Sequence, residues 1–347
     1  MRSIQAWLLC ALLGFSASAL PAQEPQEGQT EEEGTAAPQT VEERLDEIDQ
    51  RLRVLDRRTE LEKEQAAEKA KTATSVTSGR DGFSFKSNDG AFLLKVRGYV
   101  QLDGRFWQGD EERPATDTFL LRRVRPIFEG TLYKNFDFRI MPDFGGGTTV
   151  LQDAYIDGRF SPAAKVRVGK FKAPVGLERL QSGTDILFVE RALPTNLVPN
   201  RDLGIQLFGD FAGGGVTYAV GVFNGVPDGG TADSDTNDSK DVAARLFFQP
   251  FLAGGGAFKN LGVGIAASQG SQEGTLTAPG LAGYRTPGQQ TFFSYRSDGT
   301  ATGTVIADGD RFRLSPQAYF YYGPFGLLTE YVQSTHEVRR GTVQEEL

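Results

Sequence analysis

Residues 92–107 read FLLKVRGYVQLDGRFW, and no other stretch limits the fold as much. Phe92, Leu94, Val96, Gly98, Val100, Leu102, Gly104 and Phe106 alternate with Lys95, Arg97, Tyr99, Gln101, Asp103, Arg105 and Trp107. A period of two over this length is an extended strand with one apolar and one polar face. In a soluble sandwich the apolar faces meet each other. In a transmembrane barrel they meet lipid while the polar faces line a lumen, and ~9–11 residues suffice to cross. Alternation alone leaves both arrangements open.

Five further features favour the barrel. The segments that alternate lie at about 91–108, 118–133, 135–143, 150–160, 164–171, 203–211, 215–225, 241–250, 258–268, 309–323 and 325–335, about eleven strands. Short connections such as YKN, SPAA and AGG take turns with long ones at 109–117, 172–202, 226–240 and 269–308, as in antiparallel strands running up and down through a layer that one end crosses freely. Aromatic residues gather near strand ends, and the sole cysteine, Cys10, lies in an N-terminal apolar run, so no disulfide staples a secreted sandwich. That run, AWLLCALLGF before SASALPA, reads as a signal peptide over residues 1–22, being far shorter than the ~20 residues of a membrane helix.

Residues 23–39 have the composition of a disordered linker. Over 40–75 a charged helix places Val41, Leu45, Ile48, Leu52 and Leu55 at 4-3-4-3 spacing, a short coiled coil compatible with dimers or trimers. Residues 81–347 form the expected barrel. An odd number of strands leaves the chain at the long-loop end, and single-chain bacterial barrels use even counts, so about five further strands are expected beyond Leu347.

The net charge of −8 conceals a reversal along the chain: over residues 81–180, 16 Lys and Arg face 13 Asp and Glu, and over 181–347, 11 face 17. Parity assigns Lys95, Arg97, Arg105, Arg123, Arg125, Arg139, Lys165 and Arg167 to the polar face. Arg122 falls on the opposite parity from Arg123, so it sits either at the membrane rim or on a bulge that turns it inward. Guanidinium pairs match oxyanions in bidentate fashion and stay charged, so a ring of them selects anions. The competing role for each is a cross-strand ion pair with an inward carboxylate. Other chemistries find no support. His336 is the single histidine, which excludes a multi-histidine metal site within one chain; it is expected in a loop after the last strand, and no enzyme is expected. The Asp233–Asp235–Asn237 spacing lacks the glycine and glutamate of a calcium loop, and the GGG triplets lack the lysine of a phosphate cradle. No cofactor and no nucleic-acid partner are expected.

The runs GYVQLDGRF, LLRRVRPIFEG, VGKFKAPVGLERLQS, FVERALPTNLVPNRDLGIQL and GVFNGVPDGG resemble the phosphate-selective porins O and P of Gram-negative outer membranes, over about Phe83 to Phe248. The resemblance implies a sixteen-stranded trimeric barrel in outer-membrane lipid, an anion-binding lumen lined by arginine and lysine, and a third loop folded inward as the constriction. It further implies that Arg122 and Arg123 sit at that constriction and Arg179 on the inward loop, and that inorganic phosphate or other small anions pass. Two other functions fit the same residues: a general diffusion porin whose basic groups are paired off, and an envelope tether with a plugged barrel.

Overall fold

The structure, a computed structural model, describes residues 40–109, 115–235 and 237–347, so the expected signal peptide and linker lie outside the described residues. The chain divides into two units, residues 1–66 and 67–347. The helix of the first, α1 (Val41–Thr72), begins at a reciprocal cap: Thr40 N–H donates to Glu43 Oε2 at 2.9 Å, and Glu43 N–H to Thr40 Oγ1 at 3.4 Å. Pairs four residues apart, Arg51–Glu47 and Arg58–Glu62, support it along its length. Its apolar stripe, Val41, Leu45, Ile48, Leu52 and Leu55, is exposed throughout. No helix among the described residues is long and apolar enough to cross a membrane, which says nothing of strands.

The second unit is antiparallel β-sheet. In chain order its strands are β1 (Ser75–Gly79), β2 (Gly82–Lys86), β3 (Leu93–Arg105), β4 (Thr118–Leu132), β5 (Phe136–Asp143), β6 (Val150–Ser161), β7 (Ala164–Phe171), β8 (Asp202–Phe211), β9 (Val216–Phe223), β10 (Asp241–Phe248), β11 (Leu261–Glu273), β12 (Tyr284–Arg285), β13 (Thr291–Phe293), β14 (Ile306–Tyr322), β15 (Phe325–Glu330), β16 (Gln333–Arg340) and β17 (Val343–Glu346). One helical turn, α2 (Leu177–Leu180), lies between β7 and β8. Fifteen strands make one sheet in which each pairs with its neighbour in the chain from β1 to β11, then β14, β16 and β17, with β15 also on β14; β12 and β13 form a separate hairpin. Tight turns set this meander. In the three-residue connection between β4 and β5, Tyr133 and Lys134 both take positive φ, 49° and 67°, the left-handed conformation whose twist suits a hairpin.

The expected count of about eleven strands is therefore too low, since the described residues hold seventeen. A hairpin precedes the first alternating segment, its turn made by Arg80 and Asp81 and followed by Gly82 at φ 93°. Its five-residue strands are too short to show as membrane-length alternation. The segment expected at 325–335 is two strands, broken at Tyr331 and Val332, and Tyr331 N–H donates there to the carbonyl of Pro316, a residue with no N–H of its own to offer. Strands continue to Glu346, and His336 lies buried within β16 instead of in a loop. The sheet does not close among the described residues: β1 and β17 each pair on one side only.

Its two faces are inverted relative to a soluble protein. Val100 and Leu102 are each 66% exposed and Phe119 73%, while Arg123 on the opposite face is 2% exposed and Arg125 7%. The same holds across the sheet, where Val242, Leu246, Val263 and Phe312 point outward and Asp241, Ser268, Arg311 and Arg313 are buried. A contiguous apolar outer band over charged interior residues is the pattern of a sheet solvated by lipid. The sheet also curls, because loop 172–201 touches both Arg123 on β4 and Glu330 on β15, strands far apart in the sheet order.

Parity within β4 is resolved by a bulge. Gln101 faces Arg123 and Leu102 faces Leu121, which leaves Arg122 as the extra residue. Leu121 points outward, Arg123 inward, and Arg122 bends to the same partner as Arg123. The outer band yields a direct test: Val100→Arg should lower the unfolding free energy in bilayers by about 2–4 kcal/mol. Urea titration of tryptophan fluorescence in vesicles measures this, and a water-facing Val100 would tolerate the change within about 0.5 kcal/mol.

Candidate functional site

Loop 172–201 returns over the inner face of the sheet because it carries an apolar foot. Ala173, Val175, Leu197 and Val198 pack on Phe171, Phe223, Ala243, Ala266 and Val332, which are buried among the otherwise polar inner faces of β7, β9, β10 and β11 and the β15–β16 break. The loop's backbone is fixed by carboxylates on either side of this foot. Glu330 accepts the Leu177 N–H at 2.6 Å, and Glu178 accepts the Ala192 N–H at 2.8 Å. At the far wall Glu190 meets β4: its carboxylate takes Arg122 Nε at 2.5 Å and Arg123 Nη2 at 2.6 Å.

Between the loop and β3–β6 lies a cavity of about 370 Å³ lined by Arg105, Arg122, Arg123, Arg125, Arg179, Arg191, Arg201 and Arg285, with Asp143 the one carboxylate in its wall. A second space of about 370 Å³ shares Arg122, Arg123, Arg179, Arg191 and Arg285 and adds Glu190 and Asp228. Arg125 and Arg201 also line a smaller chamber, about 190 Å³, together with Arg139, Arg167, Asp153 and Lys172. These two arginines stand between the chambers. Arg125 Nε donates to Asp143 at 2.7 Å and Arg201 Nε to Asp153 at 3.0 Å.

The cations differ in how far they are neutralised. Arg97 is bidentate on Glu129 at 2.8 and 3.2 Å, and Arg167 on Asp157 at 2.7 Å for both bonds, its guanidinium lying over the Tyr155 ring. Lys165 pairs with Asp210, Arg105 with Asp103, and Arg139 with Glu129 and Asp153. Three others have no carboxylate partner among the described residues. Arg179 donates to the Thr195 carbonyl, Arg191 to the Glu178 and Gln181 carbonyls at 3.1 and 2.8 Å, and Arg285 stands at the cavity wall. Burial and, secondarily, the neighbouring arginines push Arg179 down to about 9 and Arg191 down to about 10. Both remain cationic at neutral pH, within a field that repels further positive charge.

A family model described as phosphate-selective porin O and P matches residues 94–345. The chain belongs to that family. No curated protein matches it significantly. In this porin Arg105, Arg122, Arg123, Arg125 and Arg179 of the sequence candidates converge on the large cavity, and Arg139 and Arg167 on the smaller chamber. Lys95, Arg97 and Lys165 reach neither; Lys95 stands opposite Glu129 in the β3–β4 register. Sequence reasoning missed Lys172, Arg191, Arg201 and Arg285, which lie in loops without periodicity. It also passed over Arg311 and Arg313, although RFRLSPQ alternates in a segment already read as a strand. Those two are tied to Asp241 and Asp228 on the opposite wall.

Lys172 carries a pH dependence. Burial, reinforced by Arg201 and Arg191, pushes its ammonium down to about 6, so at pH 7.5 it is neutral and donates to the Leu180 and Gln181 carbonyls. Protonation on acidification adds one cation to the smaller chamber. Small-anion conductance of the porin should rise as pH falls through 6, and Lys172→Met should abolish that step in single-channel recordings between pH 8 and 5.

Proposed function

We propose that this porin is an anion-selective channel of the Gram-negative outer membrane, passing phosphate or related oxyanions through a lumen lined by arginine and lysine. One observation carries the reading: eight arginines converge on a single cavity whose wall holds one carboxylate, where loop 172–201 crosses the inner face. Five of the eight are paired with carboxylates, and Arg179, Arg191 and Arg285 have no carboxylate partner among the described residues, so the selective field is concentrated at these three. Guanidinium donors there match oxyanion oxygens two at a time. The smaller chamber beyond Arg125 and Arg201 supplies a second site, and sites in series let an ion enter without being held. The exposed apolar outer band is what outer-membrane lipid would cover, and family membership speaks for a channel.

Reversal potential across a planar bilayer in a KCl gradient tests the reading, with anion preference as the expected result and no preference, as in a general diffusion pore, the result against it. Arg191→Ala and Arg285→Ala each remove a cation without freeing a carboxylate. Each should reduce the anion-to-cation permeability ratio by roughly 2-fold to 10-fold, the range for losing one unit charge at an intermediate effective dielectric. A tether with a plugged barrel would insert and pass no current.

The assembly proposed is a homotrimer joined through α1. Its exposed stripe places Leu45 and Leu52 at one heptad position and Val41, Ile48 and Leu55 at the other, side chains that gain by meeting copies of themselves. Deleting residues 40–72 should lower the temperature at which the oligomer dissociates in detergent electrophoresis and leave single-pore conductance within about 20% of the full chain, since no residue of α1 lines the arginine cavities.

A further inference from the structure

The contact between loop 172–201 and β4 has the form of a bound ligand. Glu190 is bidentate on Arg122, with Nε to Oε1 at 2.5 Å and Nη2 to Oε2 at 3.3 Å, and the same Oε2 accepts Arg123 Nη2 at 2.6 Å. Two guanidiniums on one carboxylate is the arrangement an oxyanion would seek at this pair. The other carboxylates in contact with cavity arginines, Asp103, Asp143 and Asp153, are fixed on strands, whereas Glu190 ends a segment with little else to hold it. Among the described residues, 186–190 are hydrogen-bonded to the rest of the molecule by the Glu190 carboxylate and by one long bond, 3.5 Å, from Gln101 Nε2 to the Val189 carbonyl. Leu187, Phe188 and Val189 are exposed, and Phe188, Val189 and Glu190 border a void of about 790 Å³ into which the segment has room to move.

We propose that Glu190 is a tethered competitor anion, which occupies the Arg122–Arg123 pair at rest, is displaced by a permeating oxyanion, and expels that oxyanion on returning. The inference rests on the anion-channel reading and extends it to release. Two bare guanidiniums bind a multiply charged oxyanion strongly, and conduction requires that it leave. A carboxylate on the loop makes departure an exchange of one anion for another, with no buried cation left uncompensated. Binding is thereby weakened without removing the arginines that confer selectivity.

The experiment is block of chloride current by inorganic phosphate in planar bilayers, using the full chain and Glu190→Gln, which keeps the shape and removes the charge. In the variant the half-blocking phosphate concentration should fall on the order of 10-fold, as when a ligand no longer displaces a charge-assisted partner, and each block should last correspondingly longer. Block equal to or weaker than that of the parent overturns the proposal. A second measurement stands if Glu190→Gln fails to insert: Val189→Cys, labelled with a thiol reagent, should react several-fold faster in phosphate than in chloride, with the unsubstituted chain giving the background. An unchanged or slower rate overturns displacement. A parent channel that is anion-selective and blocked by phosphate while both variants give the contrary result removes Glu190 alone from its role. A parent channel with no anion preference and no block removes the anion-channel reading together with it.

Discussion

The structure depends on charges facing inward on a sheet whose outer face is apolar. Once Val100, Leu102 and Phe119 are committed to the exposed outer face, every alternate residue must be satisfied on the inner face, where each unpaired ion is costly. The strands answer with ladders of pairs, Arg97 on Glu129, Arg167 on Asp157 and Arg125 on Asp143. These pairs hold neighbouring strands in register and leave the inner wall near neutrality. The loop departs from the rule. It brings Arg179 and Arg191 against backbone carbonyls, dipoles that solvate a guanidinium without cancelling its charge. Net positive potential in the interior is therefore a property of the loop more than of the wall.

The loop can be placed there because the inner face is not uniformly polar. Phe171, Phe223, Ala243 and Ala266 make an apolar landing on an inner face otherwise rich in charge, and Val175 and Val198 are fully buried on it. Without this landing a segment of that length would extend into solvent. Apolar side chains thus lie on both faces of the sheet, exposed across the outer one and buried on the inner one, where they seat the loop.

Much of this was legible in the sequence, and the limits have physical causes. Parity found the inward arginines on β3, β4, β5 and β7, because a strand repeats every two residues whatever its partner. At Arg122 it left rim and bulge both open, since a bulge is a property of two strands in register and LLRRVRP shows only one of them; the β3–β4 register decides for the bulge. Arg191 and Arg285 were illegible for a related reason: a loop residue is aimed by tertiary contacts, here the Glu178 and Gln181 carbonyls and the Asn196 hydrogen bond to the Arg285 backbone. His336 was misplaced because the break at Tyr331 and Val332 ends one alternating run, and its resumption in QSTHEVRR is too polar to advertise a strand. Resemblance to the porins O and P supplied what parity lacked, an inward loop bearing cations.

The hydrogen bond from Leu177 to Glu330 joins residues 153 apart in the chain, and the loop's apolar landing is assembled from β7, β9, β10 and β11 together with Val332. Closing so long a circuit is slow and gains nothing until the intervening hairpins exist. The wall must accordingly form by successive local pairings while the loop still hangs free, and only the arrival of β15 allows the loop to fold in. The arginines of the loop are therefore the last part of the inner face to be brought into place.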